Sequence, residues 1–201
     1  MKFKYGFILS HILVFVLFFP VFSQAKSVGD EFGVSMGLTR INNSGYGDVY
    51  GPMNLSFGAK YEIFFADRRR LGAEIGFRLN YDKGETTKLG NSASFLTLPI
   101  YVGLKFRYVS ESKWYPYFGA GIQQLYFSES VDQEGFADES GSKTGYYFQT
   151  GLHRKWGRAK STFYEFRYSS TSLDGNSSGT GGKSPNTGAV DFIFGISFSV
   201  R

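Results

Sequence analysis

Two stretches of the chain alternate without interruption. From Asn54 to Phe64, Leu55, Phe57, Ala59, Tyr61 and Ile63 are interleaved with Asn54, Ser56, Gly58, Lys60 and Glu62. From Leu71 to Tyr81, Leu71, Ala73, Ile75, Phe77, Leu79 and Tyr81 alternate with Gly72, Glu74, Gly76, Arg78 and Asn80. A period of two rather than 3.6 predicts strands with one apolar face. Six more segments fit: Glu31 to Ile41, Ser94 to Tyr108, Tyr115 to Phe127, Gly145 to His153, Lys160 to Ser170 and Gly188 to Val200. The stretch from Tyr115 to Phe127 is the least clean, because both its faces carry apolar residues. Most of these runs match the 9–11 or so residues that a tilted strand needs to cross a bilayer.

The connections alternate as well. Those after the second, fourth and sixth segments are short: Ala66 to Arg70, Val109 to Trp114 and Arg154 to Arg158. Those after the first, third, fifth and seventh are long and polar: Asn42 to Gly51, Asp82 to Ala93, Ser128 to Thr144 and Thr171 to Thr187. Short turns on one side and long loops on the other predict an eight-stranded antiparallel up-and-down transmembrane β-barrel, all-β, with the short turns periplasmic. Closure with an even strand number leaves no unpaired edge in lipid.

Composition supports an all-β chain that meets lipid. Aromatic residues make up 19%, mostly 22 Phe and 14 Tyr, with 26 Gly, a bias toward strands and tight backbone approaches. The mean hydropathy of −0.20 is what a barrel alternating lipid-facing and lumen-facing residues averages to. There is no cysteine, which removes disulfide frameworks and zinc fingers. At the N-terminus, Lys2 and Lys4 precede an apolar run from Phe7 to Phe19, Pro20, and Ser23-Gln24-Ala25. This predicts a signal peptide over 1–25, cleaved after Ala25 and leaving residues 26–201 as one barrel domain.

Along the polar faces stand Lys60, Glu62, Glu74, Arg78, Lys105, Arg107, Glu165, Arg167 and Asp191. An eight-stranded barrel has an interior that side chains just fill, and buried charges need partners. The alternation therefore predicts a luminal ion-pair network, joined by Tyr101, Gln123, Gln149 and His153, that plugs the barrel. Alternation does not separate inside from outside, however. A secreted lipocalin-like lipid-binding barrel would carry the same pattern with its apolar face inward.

Three stretches resemble the bacterial outer-membrane β-barrel family, porin-like, whose simplest members are the OmpX type and the OmpA transmembrane domain. Leu96-Thr97-Leu98-Pro99-Ile100-Tyr101-Val102-Gly103-Leu104-Lys105-Phe106 is similar to that family's fourth strand. Tyr115-Pro116-Tyr117-Phe118-Gly119-Ala120-Gly121 is similar to the strand after its periplasmic turn. Gly195-Ile196-Ser197-Phe198-Ser199-Val200 resembles the terminal-strand motif read by the barrel-assembly machinery. Two features depart from that motif: Val200 and Arg201 follow Phe198, and Ile193 stands where a polar residue is usual. The resemblance implies residence in the outer membrane, contact with its lipids and lipopolysaccharide, and handling by the assembly machinery. The expected form is a monomer.

Catalytic chemistry finds little support. The mature chain's one histidine, His153, is followed two residues later by Lys155, so the His-x-Ser arrangement of barrel lipid A deacylases is missing. Ser161 and Glu165 could complete a His153-centred triad, but a lone luminal histidine near a turn is more often a packing residue. Asp132, Glu134, Asp138 and Glu139 match no calcium-loop spacing. Basic residues gather at two short turns, as Arg68-Arg69-Arg70 and as Arg154, Lys155, Arg158 and Lys160. They suit anionic headgroups and plain solubility alike. Trp114, Trp156, Tyr115 and Tyr81 are expected as interfacial anchors. The expectation is thus a non-enzymatic barrel without metal, cofactor or nucleic-acid partner. Its role would be structural or adhesion-like, with the long loops open to an extracellular ligand. A narrow porin-like channel is the main alternative.

Overall fold

The structure is a computed structural model that describes residues 29–42, 44–65, 70–86, 90–132, 138–157, 159–172 and 186–200. The signal peptide, Arg68, Arg69, Glu134, Arg158 and most of the seventh connection lie outside the described residues. Eight strands form one closed antiparallel barrel in sequence order. They are β1 (Gly29–Ile41), β2 (Asn54–Phe64), β3 (Leu71–Glu85), β4 (Ser92–Arg107), β5 (Trp114–Val131), β6 (Glu139–Lys155), β7 (Lys160–Ser172) and β8 (Asn186–Ser199). β8 closes on β1, with Ser35 opposite Gly195 and Thr39 opposite Asp191.

The apolar register faces outward: Phe57, Phe118, Ile122, Phe148, Leu104 and Phe192 are each half or more exposed. Lys60, Glu62, Glu74, Arg78, Lys105 and Arg167 are buried inside. This corrects the lipocalin-like alternative, since that barrel needs its apolar face inward. Here the charges fill the centre and the hydrocarbon side chains form the wall.

Large rings and glycines share the interior. Tyr101 stands opposite Gly76, Tyr147 opposite Gly121, Tyr117 opposite Gly151 and Phe163 opposite Gly195. A Cβ on Gly76 would come within 2.6 Å of Tyr101 Cζ, and one on Gly121 within 2.6 Å of Tyr147 Cε1. The rings occupy the space that side chains on the facing strand would need, which accounts for the joint excess of glycine and tyrosine.

The strands are longer than the alternation predicts. β5 has 18 residues and β6 has 17. At about 3.3 Å per residue and a tilt of about 40°, β5 climbs ~45 Å, well past an apolar band of about 25 Å. Two expected long loops are consequently strand at both their ends. β3 and β4 stay paired to Glu85 opposite Ser92, and β5 and β6 to Glu129 opposite Glu139. Above the membrane both faces of a strand meet water, so alternation fades there while pairing continues.

The first connection is not a plain loop either. Ser44–Tyr50 is a helix, α1. Between β3 and β4 the ladder skips from Phe77–Ile100 to Asn80–Thr97. The gap falls at Pro99, which has no N–H to donate.

Candidate functional site

Among the described residues the densest convergence of charged and polar side chains is in the lumen. Its lower half, toward the short turns, is a continuous ion-pair network. Lys60 Nζ lies 3.0 Å from Glu62 and 3.1 Å from Glu165. Lys105 Nζ bonds Glu62 closely and sits 3.1 Å from Glu74. Arg107 grips Glu31 through both terminal nitrogens, at 2.9 and 3.1 Å, and reaches Glu62 at 3.2 Å. Arg167 bonds Glu165 at 2.8 Å and Gln149 at 2.7 Å. Lys60, Lys105, Arg107 and Arg167 thus face Glu31, Glu62, Glu74 and Glu165, one carboxylate for each cation. Glu62, 2% exposed, touches three of the four cations.

Such pairing is required rather than ornamental. An uncompensated ion in a low-dielectric interior costs several kcal/mol, and the attraction recovers this only with good geometry and further hydrogen bonds. The tyrosines supply those bonds. Tyr117 donates to Glu165 at 2.9 Å and Tyr147 to Glu74 at 2.7 Å. Rings also cover the cations: Lys60 Nζ is 3.8 Å from the Phe163 centroid, Arg107 is 4.3 Å from Phe64, and Arg167 is 3.9 Å from Tyr101. Cation–π contacts of this kind are strongest when desolvated.

All nine charged positions singled out from the sequence point into the barrel, but they are not equally engaged. Arg78 and Asp191 stand apart from the others. Their closest approach is 3.9 Å, Arg78 bonds Ser56 instead, and Asp191 accepts from Thr39. Gln149 joins the main network, whereas Gln123 bonds only Thr171, at 3.1 Å. Around Arg78 and Asp191 a cavity of about 40 Å³ opens, lined also by Asn80, Thr97, Pro99 and Thr171. That is room for a water or two.

His153 lies in the lower network, sandwiched by Tyr117 and Phe163 with ring centroids at 5.0 and 5.5 Å. Its Nε2 faces Arg107 at 3.5 Å, and a guanidinium can only donate, so the Nε2 accepts. No hydrogen bond joins His153 to Ser161 or Glu165. Ser161 pairs with Ser197 at 2.6 Å, and Glu165 is held by Lys60, Tyr117 and Arg167. The conceivable triad is therefore not assembled. Tyr115 corrects another expectation. It shares the inward register of Tyr117 and stands opposite His153, so it is not a belt anchor like the exposed Trp114, Trp156 and Tyr81.

Above the cavity the lumen is closed differently. α1 lays Tyr46 and Tyr50 on Phe95, with centroids at 5.3 and 5.6 Å. Ala93, Ile41, Val49, Phe127 and Val131 complete the apolar cluster. Tyr46 donates to Asp82, and Tyr50 donates to Glu129 at 2.8 Å. Burial, reinforced by these carboxylate partners, pushes both phenols well above their ordinary pKa of 10.0.

Sequence reasoning missed Glu31, Tyr117, Tyr147 and the α1 cluster. Glu31 shares the odd-numbered face of β1 with Gly33 and Ser35, so the alternation places it in the lumen. Ile193, the departure from the terminal-strand motif, also faces inward at 5% exposure.

Comparison with known proteins places this geometry. No curated protein matches the sequence. Among solved structures, Neisserial surface protein A aligns with a TM-score of 0.61 at 12% identity, covering 86% of this chain and 97% of its own. OprG from Pseudomonas aeruginosa aligns at 0.57 and 16%, covering 89% and 99%. Ail, the attachment invasion locus protein of Yersinia pestis, aligns at 0.56 and 17%, covering 86% and 99%, in complex with the heparin analogue sucrose octasulfate. At these identities the likeness concerns the fold. The family described as outer membrane protein beta-barrel domain matches residues 12–198. The chain belongs to that family and resides in the bacterial outer membrane.

Proposed function

We propose that this barrel is a sealed, non-enzymatic outer-membrane protein that works through its surfaces, in a structural or adhesion-like role. The observation that carries this reading is the filled lumen. The charge network occupies the lower half, α1 and its tyrosines cover the upper half, and the cavity between them holds about 40 Å³. The extracellular ends of the strands then provide the reactive surface. Ail is described with a heparin analogue, a polyanion, whereas the described residues at the outer end of this barrel carry an acidic excess. Among the described residues at this end, Asp48, Glu85, Glu129, Asp132, Asp138 and Glu139 outnumber Arg40, Lys83 and Lys143. A neutral or cationic surface is therefore a better match than a polyanion.

The test compares cells displaying the wild-type barrel with cells displaying a version whose β5–β6 extension is trimmed to the membrane rim. Adherence to cationic and to heparin-coated surfaces is measured alongside sensitivity to detergent. The proposal expects wild-type cells to adhere to the cationic surface and trimmed cells to lose this. Unchanged adherence together with unchanged detergent sensitivity would contradict a surface role of either kind.

A further inference from the structure

We propose that Trp114, Arg154, Trp156 and Lys160 form a headgroup site for an anionic phospholipid of the periplasmic leaflet. All four lie on the outer wall or its rim at the short-turn end. Arg154 stands directly opposite Trp114 on one side and Thr162 on the other, on the outward register of Phe148 and Leu152. Its guanidinium lies 4.2 Å from the Trp156 centroid and 5.2 Å from that of Trp114. The Trp156 indole donates to Thr162 at 3.0 Å, and the backbone N–H of Trp156 donates to the carbonyl of Lys160, also at 3.0 Å. These bonds fix one ring and bring Lys160 beside it.

Charge identifies the ligand. Among the described residues no carboxylate forms an ion pair with Arg154 or Lys160, so neither cation is neutralised by those residues. Indole rings settle at the headgroup level, and a guanidinium is always charged and matches phosphate oxygens bidentately. A cation held between two indoles at that depth therefore meets lipid phosphate rather than bulk water. Among the described residues the opposite rim has no equivalent, since its exposed charged groups are mainly acidic. Arg154 and Lys160 together favour a net-negative headgroup such as phosphatidylglycerol over a zwitterionic one.

The chain contains two tryptophans, both in this site, so their fluorescence reports on it alone. The folded full-length barrel is reconstituted into mixed bilayers in which either phosphatidylglycerol or phosphatidylcholine carries brominated acyl chains, and quenching gives the relative affinity of the two lipids. At about one kcal/mol per basic group near the surface, equivalent to about fivefold, wild type should prefer phosphatidylglycerol by about fivefold or more. Arg154→Gln should remove most of that preference, and Lys160→Gln a smaller part. Unboiled gel mobility confirms that each variant is folded. Equal quenching by the two lipids in wild type would overturn the proposal. So would a preference that survives both substitutions, since diffuse surface charge would then explain it.

Discussion

The two halves of the lumen are closed by opposite chemistry. Toward the periplasm, buried ions are locked to one another, with Glu62 holding Lys60, Lys105 and Arg107. Toward the outside, the loosely coupled Arg78 and Asp191 border a small cavity, and an aromatic cluster under α1 closes the mouth. The lower half sits at bilayer depth, where no water can compensate an unmet charge and every ion must find a protein partner. Around Arg78 and Asp191 hydroxyl partners and a small cavity take the place of such pairing, and above them a short apolar core suffices. Removing one member should therefore damage the lower half far more than the upper.

The largest effect is expected from Glu62→Gln, which takes a shared carboxylate from three cations and leaves each with one. Loss of a partner from a buried ion pair costs about 3–5 kcal/mol, and the urea midpoint for unfolding from detergent micelles should fall accordingly. The equivalent change above, Asp191→Asn, removes a contact at 3.9 Å and should cost about 1 kcal/mol. Equal losses at the two sites would erase the distinction between the halves.

Packing offers a second contrast. Gly76→Ala places a Cβ against Tyr101 and the Ala59 carbonyl, and overpacking of this kind costs about 1–3 kcal/mol. Gly47→Ala, with nothing within 4 Å and a helical position in α1, should instead add about 0.5–1 kcal/mol to the cap. Thermal unfolding of the two variants in one detergent would show whether the signs differ.

The smallest expected effect is a pH response confined to the cap. Tyr46 and Tyr50 have pKa values raised above 10.0. The stability this lends to α1 is complete below pH 10 and is lost as pH rises above it toward the folded-state values. A spin label at the exposed position 48, introduced by Asp48→Cys, should become more mobile as pH climbs past 10. Constant mobility up to about pH 12 would show that the phenols do not hold the cap.

How much of this could be read from the residues follows the same division. Period-two alternation, clearest from Asn54 to Phe64 and from Leu71 to Tyr81, marked the strands and their two faces, because a side chain on the barrel wall meets either lipid or lumen. The β5–β6 extension was illegible for the converse reason. Glu139 to Thr144 is polar on both faces, yet its backbone pairs with β5 up to Glu129. α1 was hidden because Ser-Gly-Tyr-Gly-Asp-Val-Tyr has two glycines and weak helix propensity. Its seven residues are too few for a helix stable on its own. It forms because Phe95, Phe127 and Ala93 lie beneath it, a tertiary cause that no local window contains. Tyr117 was obscured because β5 carries rings on both faces, and only the register shows that Tyr117 meets Glu165 while Phe118 meets lipid.

Single-channel recording in a planar bilayer tests the sealed lumen most directly, using wild-type protein whose unboiled gel mobility shows it folded. The account predicts a flat baseline without resolved steps, because ion pairs fill the lower half and α1 covers the upper. Discrete, reproducible conductance steps from the same folded preparation would contradict it and make the barrel a channel.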